Sequence, residues 1–288
     1  MGRYAPAWEF TDDRGHVATS GYVPSRVVAY IQAGATLWDH GVRPTAVFGS
    51  FHDGDSADPA KSGALPLDTV GYLGAGAGLG LDAFLAARPD LVVAVTYGGG
   101  QVYGLDPEVA KHLEENVPVF VVDVGQDRSL TEVRERFAEL ARSLGAPESG
   151  DGELERAVRE LREAARLRPG RVLALSPGGP DSVHLARPAK WPDLSALTAL
   201  GVRTVEPPEG PGVNWNTAGW AEAAALAPDI VLVDSRVNAA SPEQYAADPH
   251  WQEIAARTRL LPWNPELPAS GPAHARFFDG VAGALRDD

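Results

Sequence analysis

The protein has 288 residues, of which 44 % are hydrophobic and 22 % charged, a composition typical of soluble globular proteins and a length sufficient for two cores. Its net charge of −14 disfavours nucleic acid and anionic membranes as partners, because both present negative phosphates. The absence of cysteine excludes disulfides, thiolate metal sites and a cysteine nucleophile.

Strands and helices alternate along the first half of the chain. Residues 8–19 are predicted to form a β-hairpin, because turn-forming residues separate two strand-like segments. The predicted strands that follow are 26–30, 45–48, 91–96 and 118–124, and the predicted helices are 31–40, 81–87, 107–115 and 130–144. This alternation is typical of a mostly parallel sheet, whose ligands bind beyond the carboxyl ends of the strands.

The second half shows the same alternation. Its predicted strands are 171–176, 203–206, 230–234 and 260–262, and its predicted helices are 193–200, 217–226, 249–256 and 273–285. Between the halves, Leu154, Val158, Leu161 and Ala165 form one apolar stripe at helical spacing. We therefore predict a long amphipathic helix there, with the first three of these residues buried.

Short motifs recur in the same order in the two halves. RVVAY at 26–30 corresponds to RVLAL at 171–175, and PDLVV at 89–93 corresponds to PDIVL at 228–232. One explanation is duplication of an α/β lobe; the other is that unrelated α/β units often share such patterns. We predict an N-terminal lobe over 1–146, a connecting helix over 147–170 and a C-terminal lobe over 171–288, with a ligand cleft between the lobes.

Six segments, taken together in order, resemble the solute-binding proteins of iron-siderophore and vitamin B12 importers. Trp263 followed by Glu266-Leu267-Pro268 is similar to the ferric-siderophore branch in particular. The resemblance implies an α/β fold of two lobes with mostly parallel sheets, joined by one long helix. The segments are WEFTDDRG, RVVAY, GLDAFLAARPDLVV, LAPDIVLVDSR, DPHWQEIAARTRLLPWN and NPELPASGPAHARFFDGVAGAL.

The same resemblance implies a function. Members of this family bind a metal-chelate between their lobes and deliver it to the permease of an ABC transporter, without catalysis. We therefore expect a monomer that binds a ferric siderophore or similar chelate, with no covalent cofactor.

The resemblance also implies a docking carboxylate on each lobe. Asp82 occupies the first of these positions, whereas Ala221 occupies the second and Glu222 lies one residue further along. The alanine departs from the family pattern and places docking to a permease in question.

Family members also carry a signal peptide and a lipid-attachment cysteine. We expect an extracytoplasmic, membrane-associated protein if Met1 is not the native start, which we favour, and a cytoplasmic one if it is.

Aromatic and polar residues at predicted strand ends are the candidate ligand contacts. Tyr97 and Tyr103 flank a glycine run after a strand, where they either contact ligand or pack against the loop. Arg236 lies at the corresponding position of the second half, and it either holds ligand oxygens, pairs with Asp234 or braces the two lobes. Trp263 resembles the family's cleft tryptophan, and it either contacts ligand, which we favour, or packs in the core. The other candidates are His52, His184, Arg187, Trp191 and Trp215.

Direct metal binding and catalysis are weaker alternatives. The seven histidines show no HxH or HxxxH spacing, so we predict no site for a bare metal ion. The sequence contains neither a P-loop nor a GxSxG motif. The alternative function is that of a cytoplasmic homologue reassigned to small-molecule binding or catalysis in a biosynthetic pathway.

Overall fold

The computed structural model describes residues 7–125, 128–148 and 150–286. The chain divides into two compact α/β units, Met1–Gly150 with Pro268–Ser270 and Asp151–Leu267 with Gly271–Asp288. Each unit has its own sheet and its own helices, and each is described by itself. In the described part of the chain, no helix is both long and apolar enough to cross a membrane.

The first unit contains seven strands and five α-helices among its described residues. Its strands are β1 (Trp8–Thr11), β2 (Val17–Ser20), β3 (Val27–Tyr30), β4 (Ala46–Phe48), β5 (Gly71–Tyr72), β6 (Leu91–Thr96) and β7 (Val119–Asp123). Its helices are α1 (Ile31–Asp39), α2 (Pro59–Ser62), α3 (Leu81–Ala87), α4 (Pro107–Asn116) and α5 (Leu130–Ser143). The predicted hairpin is confirmed, because β1 and β2 pair antiparallel.

The main sheet of the first unit is entirely parallel, in the order β5-β4-β3-β6-β7. Its central strands are fully buried, which explains why β6 reads as the unbroken apolar run LVVAV before Thr96. The strand order reverses between β3 and β6. In doubly wound sheets, ligands bind beyond the carboxyl ends of the strands at such a reversal.

The second unit begins with a long helix and is built around a six-stranded sheet. Its helices are α6 (Gly152–Leu167), α7 (Pro192–Ala199), α8 (Trp220–Ala225), α9 (Pro242–Tyr245), α10 (Pro249–Arg257) and α11 (Gly271–Arg286). Its strands are β8 (Arg171–Pro177), β9 (Val183–Ala186), β10 (Arg203–Thr204), β11 (Trp215–Ala218), β12 (Ile230–Asp234) and β13 (Arg259–Trp263).

The second sheet combines a parallel core with an antiparallel ribbon. Strand β8 pairs in parallel with β12, and β12 pairs with β13. Strand β10 pairs only with Arg171 and Val172, so the far end of β8 is open to another partner. Strand β9 takes that position in the antiparallel direction, and β11 pairs with β9.

This ribbon is absent from the sequence prediction, which assigns both segments to irregular or helical structure. The helix predicted from Thr217 begins only at Trp220, because Thr217 and Ala218 belong to β11 and Gly219 precedes the helix. Polar and glycine residues around β11 concealed a strand that is fixed by pairing with a distant segment.

The predicted long amphipathic helix is confirmed as α6, but the residues on its buried face differ in part from those predicted. Leu154 and Leu161 are buried as predicted, whereas Val158 is only half-buried and Ala157 lies inside instead. The buried face packs against α11 within the second unit. Three of the five buried residues of α6 are alanines, Ala157, Ala164 and Ala165, and such small side chains allow a neighbouring helix to approach closely.

Candidate functional site

Two tyrosines mark the carboxyl end of the first sheet. Tyr97 directly follows β6, and its ring lies 4.8 Å from that of Tyr103, centroid to centroid. Tyr103 in turn packs edge-on against the buried ring of Tyr30 at 5.5 Å. Gly98, Gly99 and Gly100 all have positive φ, between +71° and +102°, which allows the intervening loop to turn back. Both tyrosines are half-buried at the point where the strand order reverses.

A buried ion pair anchors the loop that carries His52. Lys61 Nζ lies 2.7 Å from Asp53 Oδ1, and the side chains of both residues are almost completely inaccessible to solvent. Asp53 Oδ2 also accepts hydrogen bonds from the backbone N–H and the hydroxyl of Ser50. His52 itself is exposed, so the loop presents this imidazole to solvent from a fixed base.

The surroundings of this loop are acidic. Burial, followed by the negative charges of Asp53, Asp55 and Asp58, raises the pKa of Tyr72 to about 12. The nearby carboxylates thus add to the effect of burial and disfavour ionisation of the Tyr72 phenol on β5.

Three tryptophans form a cluster at the carboxyl end of the second sheet. The ring of Trp215 lies 5.0 Å from that of Trp191 and 5.9 Å from that of Trp263, and the latter two are 5.8 Å apart. Trp191 and Trp263 are buried, whereas Trp215 is half-buried and is the most accessible of the three. We call these residues the tryptophan cluster. Of the three rings, that of Trp215 is therefore the one that solvent reaches most easily.

The antiparallel ribbon positions Trp215. This residue pairs with Ala186 across β9, and Thr217 pairs with His184. His184 Nδ1 lies 2.9 Å from the Thr217 hydroxyl, and its ring is 6.4 Å from that of Trp215. The imidazole is therefore held at the side of the cluster by a neighbour on the same ribbon.

Arg187 organises the loop that leads into β11. Its guanidinium donates to the carbonyl oxygens of Pro208, Gly210 and Gly212 at 3.1–3.3 Å. The loop is compact enough that a Cβ on Gly212 would lie 2.0 Å from the carbonyl oxygen of Trp215. Arg187 thus acts on the cluster through the backbone, and its predicted contact with ligand stays a prediction.

Arg236 is enclosed by two carboxylates. Its Nη2 lies 2.7 Å from Asp234 Oδ2, and its Nη1 lies 2.8 Å from Glu266 Oε1. Burial alone would lower the pKa of Arg236, but hydrogen bonds and attraction from both acids outweigh it and raise the pKa. Ser176 Oγ donates to Asp234 at 2.7 Å, which links the ends of β8 and β12. The ion pair with Asp234 that was considered from the sequence is present, and Glu266 is a second carboxylate partner of the same guanidinium.

A buried carboxylate that the sequence analysis missed lies behind the cluster. Trp263 Nε1 donates to Asp193 Oδ2 at 2.7 Å. Burial raises the pKa of Asp193 to about 6, although the hydrogen bond from Trp263 opposes the shift. Seventy positions separate the two residues, and an acidic residue in the first turn of a helix is ordinarily solvent-exposed. The sequence therefore gives no local signal for this contact.

The candidate residues thus fall into two groups. Tyr97, Tyr103 and His52 lie at the carboxyl end of the first sheet, and the tryptophan cluster with His184, Arg187 and Arg236 lies at that of the second. Within residues 7–125, 128–148 and 150–286, no three acidic or histidine side chains are grouped to hold a metal ion.

The two predicted docking carboxylates lie on short helices. Asp82 is exposed in the first turn of α3, while Glu222 is exposed on α8. Glu222 Oε2 accepts a 2.8 Å hydrogen bond from the backbone N–H of Gly219. The two carboxylates therefore differ, because that of Glu222 also caps its own helix.

Solved structures with the same fold cover almost the entire chain. DesE, a ferric-siderophore receptor protein from Streptomyces coelicolor, is 27 % identical with a TM-score of 0.86, over 97 % of this chain and 98 % of DesE. The siderophore periplasmic binding protein from the fuscachelin gene cluster of Thermobifida fusca is 17 % identical, with a TM-score of 0.65, over 91 % and 96 % of the chains. The periplasmic heme-binding protein RhuT from Roseiflexus sp. RS-1 is 16 % identical, with a TM-score of 0.61, over 91 % and 99 %.

A sequence comparison identifies the family. No curated protein sequence matches the chain. The family model described as "Periplasmic binding protein" matches residues 42–258, about three-quarters of the sequence, which confirms the resemblance stated above. The chain therefore belongs to the periplasmic binding protein family and is a solute-binding protein.

Proposed function

We propose that this protein captures a ferric siderophore for import by an ABC transporter, and that it releases the ligand chemically unchanged. The ligand class that fits best is a neutral or cationic ferric hydroxamate. Tyr97 and Tyr103 of the first unit and the tryptophan cluster of the second are proposed to take part in binding.

The tryptophan cluster is the observation that carries the proposal. A siderophore already saturates the coordination of its iron, so its receptor needs aromatic surface and a few orienting polar groups rather than metal ligands. Trp215 offers such a surface at a strand end, with His184 beside it. The similarity to the ferric-siderophore receptor DesE, at 27 % identity over nearly the whole chain, supports the same ligand class.

The charges at the strand ends support the choice of hydroxamate. Arg236 is already paired with Asp234 and Glu266, and Lys61 with Asp53. These cations are therefore already paired with carboxylates before any ligand arrives, and the chain as a whole carries a net charge of −14. A trianionic ferric tricatecholate is disfavoured in such a field, whereas a neutral or cationic complex is accommodated.

Delivery to a permease is proposed to involve Asp82. Its carboxylate is exposed on α3, where a partner's basic side chain has access to it. Glu222 is proposed as the second contact, although its carboxylate also caps its own helix, which reduces its availability.

Quenching of intrinsic tryptophan fluorescence tests the ligand class. The panel contains a cationic linear ferric trihydroxamate, a neutral cyclic ferric trihydroxamate, a ferric tricatecholate and haem. We expect saturable quenching at micromolar or lower concentration by the hydroxamates and weaker binding of the tricatecholate. The same titrations on N-acetyltryptophanamide correct for absorption by the ligands. Saturable binding of haem alone, or of no panel member, would contradict the proposal.

A further inference from the structure

We infer that Asp193 is a positioning residue for the tryptophan cluster of the second unit: it holds the indole of Trp263 and, through it, supports Trp215. In this role Asp193 sets ligand affinity without touching the ligand. The inference rests on the proposed function for its link to ligand affinity. The contact geometry that it starts from is independent of any ligand.

The contact is short, buried and directional. Asp193 Oδ2 accepts the only N–H of the Trp263 indole at 2.7 Å, and Trp263 is only 1 % exposed. A hydrogen bond to a carboxylate is stronger than one between neutral groups and fixes the rotation of the ring that donates it. The orientation of the Trp263 indole is therefore set from behind by Asp193.

The orientation of Trp263 is passed on through direct ring contacts. Trp263 packs against Trp191 and Trp215 at 5.8 and 5.9 Å, with interplanar angles of 86° and 59°. Trp191 is secured separately, because its Nε1 donates to the carbonyl oxygen of Asn214 at 3.1 Å. Trp215, by contrast, rests on the other two rings, so a displaced Trp263 removes part of its support.

The buried carboxylate of Asp193 has an energetic cost, which its hydrogen bonds with the Trp263 indole and with the backbone N–H groups of Leu194 and Asp193 in the first turn of α7 offset only in part. Burial of a charged group without a cationic partner costs stability, and burial is the main cause of the raised pKa of Asp193. An asparagine would accept the same hydrogen bond without the charge. A costly buried polar group that orients a side chain at a site is typical of residues that support binding geometry.

Three substitutions at position 193 separate orientation from stability. Asp193→Asn keeps an acceptor oxygen, and we expect the affinity for the ferric trihydroxamate to stay within about threefold of wild type. Asp193→Ala and Asp193→Leu leave the indole N–H unpaired, and we expect each to weaken affinity by about tenfold or more. Rescue by asparagine, together with loss in leucine, distinguishes a lost hydrogen bond from a lost volume.

A matched control comes from Asp248, which caps α10 in the same unit by accepting from the backbone N–H groups of His250 and Trp251. Asp248→Ala should lower the melting temperature and leave ligand affinity unchanged. If Asp193→Ala weakens binding no more than Asp248→Ala at matched loss of stability, the inference is overturned.

A double-mutant cycle gives the sharpest test. Trp263→Phe removes the N–H donor, so adding Asp193→Ala to this variant should cause no further loss of affinity. A full additional tenfold loss would overturn the inference.

Near-ultraviolet circular dichroism of the unliganded proteins reports on the cluster independently. Asp193→Ala and Asp193→Leu should alter the tryptophan bands, whereas Asp193→Asn should not. If wild-type protein binds no panel ligand, the proposed function fails while this spectral pattern still decides the positioning role. Unchanged spectra in all three variants would refute that role even where ligand binds.

Discussion

The carboxylate of Asp229 accepts a 2.7 Å hydrogen bond from the backbone N–H of Arg171, and the backbone N–H of Asp229 donates to the Arg171 carbonyl oxygen at 2.9 Å. Asp90 and Arg26 form the same reciprocal pair in the first unit, at 3.0 and 2.8 Å. In both units the aspartate follows a proline at the start of a central strand and ties it to its neighbour. These contacts account for the repeated Pro-Asp and Arg-Val motifs.

The first prediction concerns Asp90 and pH. Burial would raise the pKa of Asp90, but hydrogen bonds from Arg26, Ser25 and Tyr22 outweigh it and lower the pKa. The stabilisation is therefore present above the carboxyl's unfolded pKa and is lost as pH falls through the folded value. We expect Asp90→Asn to reduce the free energy of unfolding by about 1–3 kcal/mol at pH 7, with the difference vanishing under acid conditions. Urea denaturation of wild type and Asp90→Asn at a series of pH values measures the difference in their free energies of unfolding. An equal loss at every pH would contradict the dependence of stability on ionisation of Asp90.

The second prediction separates two tryptophans of the cluster. Trp215→Ala should weaken affinity for a ferric trihydroxamate by about thirtyfold, or about 2 kcal/mol, because this ring is the accessible one. The melting temperature should change little. Trp263→Ala should instead reduce stability by about 3–5 kcal/mol, because it leaves a cavity in the tryptophan cluster. Thermal denaturation of the unliganded variants, combined with ligand titration, distinguishes the two; a stable Trp263→Ala protein would place this ring at the ligand surface.

The third prediction concerns the carboxylates around Arg236. Arg236→Ala leaves Asp234 and Glu266 buried without their cation, so we expect a loss of about 3–5 kcal/mol of stability. The double variant Arg236→Ala with Glu266→Gln should recover part of that loss, because one of the two buried charges is gone. Chemical denaturation provides the measurement. A stability of Arg236→Ala close to that of wild type, combined with weaker ligand binding, would instead assign the guanidinium to the ligand.

The fourth prediction concerns the buried charge of Asp193. Its folded pKa of about 6 lies above its ordinary value, so the protonated form is favoured in the fold. Stability associated with this group is present at low pH and is lost as pH rises through about 6. We expect Asp193→Asn to be more stable than wild type at pH 7.5, by an amount on the order of 1–3 kcal/mol, and equal to it near pH 4. A constant difference between the two proteins over this range would show that the charge is not the cause.

The fifth prediction addresses transfer to the permease. Asp82→Asn should leave ligand affinity unchanged and reduce uptake of the radiolabelled ferric trihydroxamate by about tenfold or more in cells or vesicles that contain the cognate transporter. Asp68→Asn, another exposed acid of the first unit, serves as the control and should retain full uptake. Full uptake by Asp82→Asn would exclude this carboxylate from docking.

The parts of the fold that the sequence predicted are those specified by nearby residues. Buried parallel strands such as β6 read as apolar runs, and the reciprocal Asp–Arg contacts recur as motifs. The ribbon of β9 and β11 escaped prediction because β11 is polar and is defined by its pairing across about thirty positions.

The candidate site also contains features that nearby residues specify and features that depend on contacts between distant segments. The sequence drew attention to the tryptophans individually, since aromatic residues near strand ends are conspicuous. Their assembly into one cluster, and the burial of Trp263 against Asp193, depend on contacts between distant segments. No local pattern encodes such contacts, so Trp263 could not be distinguished from the accessible Trp215 without the fold.

The ribbon of β9 and β11 joins the second sheet only at the last residues of β8, from Leu175 to Pro177. The parallel pairing of β8 with β12 covers Val172 to Leu175, so the two attachments overlap at a single residue. Substitutions at the accessible ribbon residues His184, Trp215 and Thr217 can therefore alter the shape offered to a ligand while β8 and β12 keep their pairing. The buried ribbon residues Val183 and Leu185 belong to the core, so ligand choice can diversify in descendants of this chain at the accessible positions while the core positions maintain the fold.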